Sequence, residues 1–160
     1  MIFVTIGSLF PFDRLMRDID ELASDFPSER FFAQIGDGAY EPKNVEFARW
    51  LTRREFKDTV REAKLIIAHA GMGSVITAME VGKPILLVPR ILELGEHTTD
   101  HQMATARWLA GRPGVFVCME SAELGDAIRR ALSAQDQAQT MPNTAPEAFV
   151  QRIRDFILAD

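Results

Sequence analysis

The chain has a single cysteine, Cys118, and so cannot close an internal disulfide, which favours a reducing compartment. Its setting, Val115 to Met119, reads as a buried strand with the thiol as core packing. No apolar run approaches the ~20 residues that span a bilayer, so membrane contact must come from a surface or a partner. The opening Met1-Ile2-Phe3-Val4-Thr5-Ile6-Gly7 is apolar but lacks a basic leader and a small-residue cleavage site. It reads as a first strand and not a signal peptide. An excess of basic charge is lacking too. The net charge is −5 at pH 7, and an acidic surface repels phosphate backbones, which argues against nucleic acid as a general partner.

What is present suits one domain with a real core. The 160 residues are 47% hydrophobic and 26% charged. Short apolar runs alternate with helical periods. Strands are expected at Ile2 to Ile6, Phe31 to Ile35, Val45 to Trp50, Leu65 to Ala68, Pro84 to Val88 and Val115 to Met119. Helices are expected from about Phe12 to Ser24, Arg54 to Ala63, Ser74 to Val81, Asp100 to Ala110 and Ala122 to Leu132. Continuous apolar strands separated by helices predict an α/β fold, a Rossmann-like doubly wound parallel sheet over residues 1–132. Residues 133–146, rich in Ala, Gln, Thr, Asn and Pro, read as a linker. Residues 147–160 carry an amphipathic helix with Phe149, Ile153, Phe156 and Ile157 on one side. That helix either packs back on its own sheet or docks on a partner.

In an open parallel sheet, ligands bind at the carboxyl ends of the strands. Three glycine-bearing turns fall there: Gly7-Ser8, Gly36-Asp37-Gly38 and Gly71-Met72-Gly73-Ser74. The third runs into a helix start, where free N–H groups and the helix dipole suit a phosphate or diphosphate. Ser74 can cap that helix or donate to the phosphate. A plain strand-to-helix turn explains the same residues. The spacing is neither a dinucleotide fingerprint, which needs a glycine at Ile76, nor a P-loop, which needs one at Thr77. The second polar cluster is Gly95-Glu96-His97-Thr98-Thr99-Asp100-His101-Gln102. His97 and His101 are four apart, but Thr98 stands where the zinc-protease pattern has glutamate, and no metal is expected. Asp100, His101 and Gln102 at a helix start suit sugar hydroxyls, with Asp100 as a simple N-cap the bland alternative.

Taken together, His69-Ala70-Gly71-Met72-Gly73-Ser74, Glu80-Val81-Gly82-Lys83-Pro84, Val88-Pro89 and Asp100-His101-Gln102 resemble the donor-binding signature of glycosyltransferase family 28 C-terminal domains. Val4-Thr5-Ile6-Gly7-Ser8 followed by Phe12-Asp13 resembles the opening of the short, split members. These include the catalytic subunit of the two-chain UDP-GlcNAc transferase acting on dolichol-linked chitobiose, and small subunits of bacterial exopolysaccharide transferases. The resemblance covers about residues 1–132 and implies the donor-binding half of a GT-B glycosyltransferase. It implies that Gly7 and Ser8 approach the diphosphate and the sugar, and that Gly71, Met72, Gly73 and Ser74 hold the diphosphate. It further implies that Asp100, His101 and Gln102 contact the donor sugar, while Trp50 and Leu51 flank the uracil. Many relatives carry a ribose-binding glutamate where Thr77 stands here.

The activity so implied is inverting transfer of a sugar from a UDP-sugar to a lipid-linked or polysaccharide acceptor, with no cofactor. A membrane-associated partner subunit would supply the acceptor site, leaving this chain cytoplasmic or peripheral at the membrane. His69 or His101 is the candidate general base within the chain, although a histidine beside a strand end is as often structural. The rival from another class is a non-catalytic nucleotide-sugar-binding or scaffolding subunit that regulates a partner. A nucleotide-sugar epimerase shares the fold but carries both domains in one chain.

Overall fold

The computed structural model describes residues 1–134 and 147–158. Six strands form one parallel sheet: β1 (Ile2–Thr5), β2 (Phe31–Gln34), β3 (Glu46–Ala48), β4 (Leu65–His69), β5 (Ile85–Val88) and β6 (Val115–Val117). Their order is β3-β2-β1-β4-β5-β6, so the chain winds outward in both directions from β1 and β4. Every adjacent pair is parallel, with Ile2 opposite Phe31 on one side and Leu65 on the other. This is the doubly wound, Rossmann-like arrangement, and its topological switch point lies between β1 and β4.

Five helices cover the sheet: α1 (Asp13–Leu22), α2 (Arg53–Glu62), α3 (Met72–Glu80), α4 (His101–Leu109) and α5 (Leu124–Ser133). Alternation along the strands decides which helix packs where. Ile2 and Val4 of β1 face α1 and α5, through Leu15, Ile19, Ala127 and Ile128. Phe3, between them, faces the layer of α2, α3 and α4, through Val60, Val75, Ala78 and Ala106. Both faces of the central strands are sealed, which is why β1 and β5 read as unbroken apolar runs. Each fully buried Leu, Ile or Phe contributes roughly 1.5–3 kcal/mol.

Several expected boundaries shift, each for a local reason. The strand expected from Val45 to Trp50 is the three-residue edge strand β3, with Glu46 and Phe47 exposed. The helix expected to begin at Ser74 begins at Met72, with Gly71 at the N-cap, so Ser74 lies inside the first turn and caps nothing. Asp100 does sit at the N-cap of α4 but makes no side-chain cap. Its Oδ1 accepts instead from Leu92 N–H, tying the preceding loop to the helix start. Helix α2 carries a full capping box, in which Thr52 and Glu55 satisfy each other's backbone N–H. The linker expected over 133–146 falls, from residue 135, outside the described residues. A sixth helix, α6 (Glu147–Leu158), buries none of its residues, and Phe156, Ile157 and Leu158 are each at least 70% exposed. Among the described residues no helix is long and apolar enough to cross a membrane.

Candidate functional site

The carboxyl ends of β1, β2, β4 and β5 open into a cleft of about 450 Å³ at the switch point, a size that suits a small-molecule ligand. Its floor is polar and tightly organised. Thr5 donates to Gln34 Oε1 at 2.7 Å and accepts from Gly7 N–H at 3.2 Å. Gln34 Nε2 donates to the carbonyls of Gly7 and Arg49, both at 3.2 Å. The turn after β1 is thereby pinned from below. Gly7 has φ +78, a conformation that favours glycine.

Arg90 pins the same turn from the other side. It follows β5, is only 2% exposed, and points its guanidinium into the loop. It donates to the carbonyls of Ile6 and Phe10, each at 2.7 Å, to that of Pro11, and to that of Glu96 at 3.3 Å. The Phe12 ring lies against it, 4.6 Å from the guanidinium carbon. Burial lowers its pKa to about 10, so it stays charged at neutral pH. Glu96 accepts a bidentate pair from Arg14, at 2.7 and 2.9 Å, and also bonds Ile91 N–H. The loops after β1 and β5 are therefore buckled into one wall.

His69, the last residue of β4, stands between the two glycine turns. A Cβ on Gly71 would lie 2.1 Å from its Cε1, and one on Gly7 would lie 2.5 Å from its Nε2. The two glycines leave the slot that the imidazole fills. A Cβ on Gly73 would meet nothing within 4 Å, so Gly73 faces open cleft. His69 Nδ1 lies 3.2 Å from Gln102 Nε2, and Gln102 Oε1 accepts from Arg90 N–H at 3.1 Å. Burial first, then the positive field of Arg90 and proximity to His97, push the His69 pKa down to about 4. The imidazole is neutral at physiological pH.

The first turn of α3 opens on the cleft. Gly71 offers no side-chain cap, and the N–H groups of Met72, Gly73 and Ser74 have no acceptor among the described residues. Such orphan donors, with the helix dipole behind them, attract anions. Among the described residues no aspartate or glutamate lines the cleft, although the chain holds 23 acidic residues against 18 basic ones.

Most of the residues singled out in the sequence meet here. Gly7, Ser8, Trp50, Leu51, His69, Gly73, Ser74, Thr77 and Gln102 line the cleft. Gly71 and Met72 adjoin it, Gly71 by packing on His69. Thr77 Oγ1 donates back to Gly73 O at 2.9 Å, within its own helix. Asp100 and His101 lie outside the lining. His101 engages Thr99 at 2.5 Å and meets the His97 ring edge-on at 4.5 Å. The pairing of His97 with His101 does not come from a shared helix face, because His97 precedes α4. Gln102 is 3% exposed, with both ends of its amide engaged. The residues that sequence reasoning missed are Thr5, Gln34 and Arg90. An arginine two residues beyond a wholly apolar strand, at the ligand-bearing edge, was the available signal for Arg90.

Comparison with known proteins agrees with this architecture. The chain is 29% identical over 126 residues to the UDP-N-acetylglucosamine transferase subunit ALG13 of Mus musculus, covering 72% of this chain and 10% of the relative. It spans only 10 to 22% of the length of the curated relatives it matches. The MurG crystal structure of Acinetobacter baumannii superposes with a TM-score of 0.61 at 21% identity, over 96% of this chain and 49% of that one. An NMR structure of ALG13 gives a TM-score of 0.61 at 16% identity, over 95% of this chain and 93% of that one. The fold is that of one half of a GT-B glycosyltransferase. The family model described as "Glycosyltransferase family 28 C-terminal domain" matches residues 1–157, and the chain belongs to that family.

Proposed function

We propose that the cleft binds a UDP-sugar and that the chain is the donor-binding, catalytic subunit of an inverting glycosyltransferase. The observation that carries this reading is the convergence of the α3 first-turn N–H groups and the His69 ring on a cleft that, among the described residues, has no carboxylate in its lining and no acceptor for those N–H groups. The diphosphate would lie across Gly73 and Ser74, facing Gly7 and Ser8. The uracil would lie toward Trp50 and Leu51. The new glycosidic bond forms as the acceptor oxygen attacks the anomeric carbon. The bond to the diphosphate breaks, UDP leaves with the electron pair, and the acceptor proton passes to a general base. Helix dipole and N–H donors balance the charge on the leaving diphosphate, a task for which no cofactor is required.

The acceptor, lipid-linked or polysaccharide, would be held by a membrane-associated partner subunit, which also supplies the base and keeps this cytoplasmic chain at the membrane. The subunit naming of ALG13 supports this division of labour. Calorimetric titration with UDP and UDP-GlcNAc, beside a Gly73→Asp variant, tests the reading. Saturable binding abolished by the added carboxylate is expected. Equal binding by wild type and variant, or none by the wild-type chain even with an acceptor-binding partner co-expressed, would overturn it.

A further inference from the structure

Hydrogen-bond direction around Gln102 fixes more than its own position. The backbone N–H of Arg90 can only donate, so the Gln102 atom 3.1 Å away is the carbonyl oxygen. The amide nitrogen then faces His69 Nδ1 at 3.2 Å. An amide NH₂ also only donates, so Nδ1 must present its lone pair. In a neutral imidazole the single ring proton then resides on Nε2. Gly7 and Gly71 flank the ring and leave the space it fills, since a Cβ on either would stand 2.5 or 2.1 Å from it. Nε2 has no partner among the described residues, yet it is not a sealed, unsatisfied atom. It is open to a ligand in the cleft.

We infer that Gln102 is a positioning residue that sets the tautomer of His69, so that Nε2–H serves the donor diphosphate as a neutral hydrogen-bond donor and not as the general base. The contact with the diphosphate rests on the donor-site reading above; the tautomer does not. Gln102, expected from the resemblance to touch the sugar, lines the cleft and keeps one amide hydrogen and one carbonyl lone pair beyond its bonds to His69 and Arg90, so the positioning role comes in addition to any sugar contact. The charged and titratable groups facing the ring are Arg90 from the end of β5, His97 from the following loop and His101 from α4. All are cationic when protonated, so they too oppose a second proton on the ring.

The test is nitrogen-resolved NMR of the histidine side chains in the full chain at pH 7.5, with His69 assigned by its loss in His69→Asn. A protonated Nε2 and an unprotonated Nδ1 are expected. Saturating UDP-GlcNAc should shift the Nε2–H signal, whereas uridine should not. In Gln102→Glu the new carboxylate accepts from the ring, and the proton should move to Nδ1. In Gln102→Leu the tautomers should mix and UDP-GlcNAc affinity should fall about tenfold. A ring protonated on Nδ1 in the wild-type protein overturns the inference whether or not donor binds. So does a tautomer unchanged in Gln102→Glu, which also decides the matter if Gln102→Leu fails to fold. Failure of UDP-GlcNAc to bind a chain whose ring carries Nε2–H overturns the donor reading, and the diphosphate contact with it, but leaves the tautomer assignment standing.

Discussion

Three glycines of the cleft have three different reasons to be glycine, and this separates their substitutions. Gly7 needs its positive φ and also makes room for His69. Gly71 has an ordinary extended backbone, and only the imidazole excludes its Cβ. Gly73 lies in the first turn of α3, and among the described residues nothing outside its own helix and chain neighbours stands within 4 Å of where its Cβ would be, so the fold leaves room there for a side chain. Gly71→Ala should therefore lower stability by about 1–3 kcal/mol through overpacking. Gly73→Ala should leave stability unchanged or raise it by up to about 1 kcal/mol, since alanine is the better helix former. It should nevertheless weaken UDP-sugar binding. Thermal unfolding and calorimetric titration of both variants check the contrast. Comparable destabilisation by the two would show that the turn is a structural feature alone.

The elements differ in how plainly their residues announce them. Strands β1, β4 and β5 are legible because burial on both faces demands continuous apolar residues. β3 is not, because an edge strand buries little and its pairing outlasts its pattern, with Gly36 N–H still bonding Arg49 O beyond its end. The glycine turn running into α3 was legible from Gly71 to Ser74, being local in sequence. The wall opposite it was not. Arg90 finds its acceptors in Ile6, Phe10 and Pro11, which lie 84, 80 and 79 positions earlier, and nothing local marks a contact of that span. The Arg90 fork is the buried centre of this wall, beside the Arg14–Glu96 pair. Arg90→Met would strand four carbonyls and should cost roughly 3–5 kcal/mol, while Arg90→Lys keeps the charge but not the planar fork and should recover only part of it. Urea unfolding midpoints measure both. A lysine variant as stable as wild type would mean that charge, and not geometry, joins the two loops.

At the scale of the whole molecule, the described residues form a closed α/β layer structure and one helix that shares none of its burial. The central strands are covered by α1 and α5 on one face and by α2, α3 and α4 on the other. No residue of α6 joins either core. Of the two alternatives the sequence allowed for this helix, packing back on the sheet would bury Phe149, Ile153, Phe156 and Ile157, yet these are 52, 44, 83 and 70% exposed. A GT-B enzyme needs two halves held in register, and an amphipathic helix outside the core of one half is suited to engage the other. Replacing Phe156 and Ile157 with Asp should then leave the unfolding midpoint of the isolated chain within about 0.5 kcal/mol of wild type. UDP-sugar binding should also persist, because the cleft is built wholly from residues 5–102. Association with the acceptor-binding partner proposed above, measured by co-purification, should be lost. A drop in stability of about 2 kcal/mol or more would show instead that α6 packs on its own domain in solution, and the partner would have to be held by another surface.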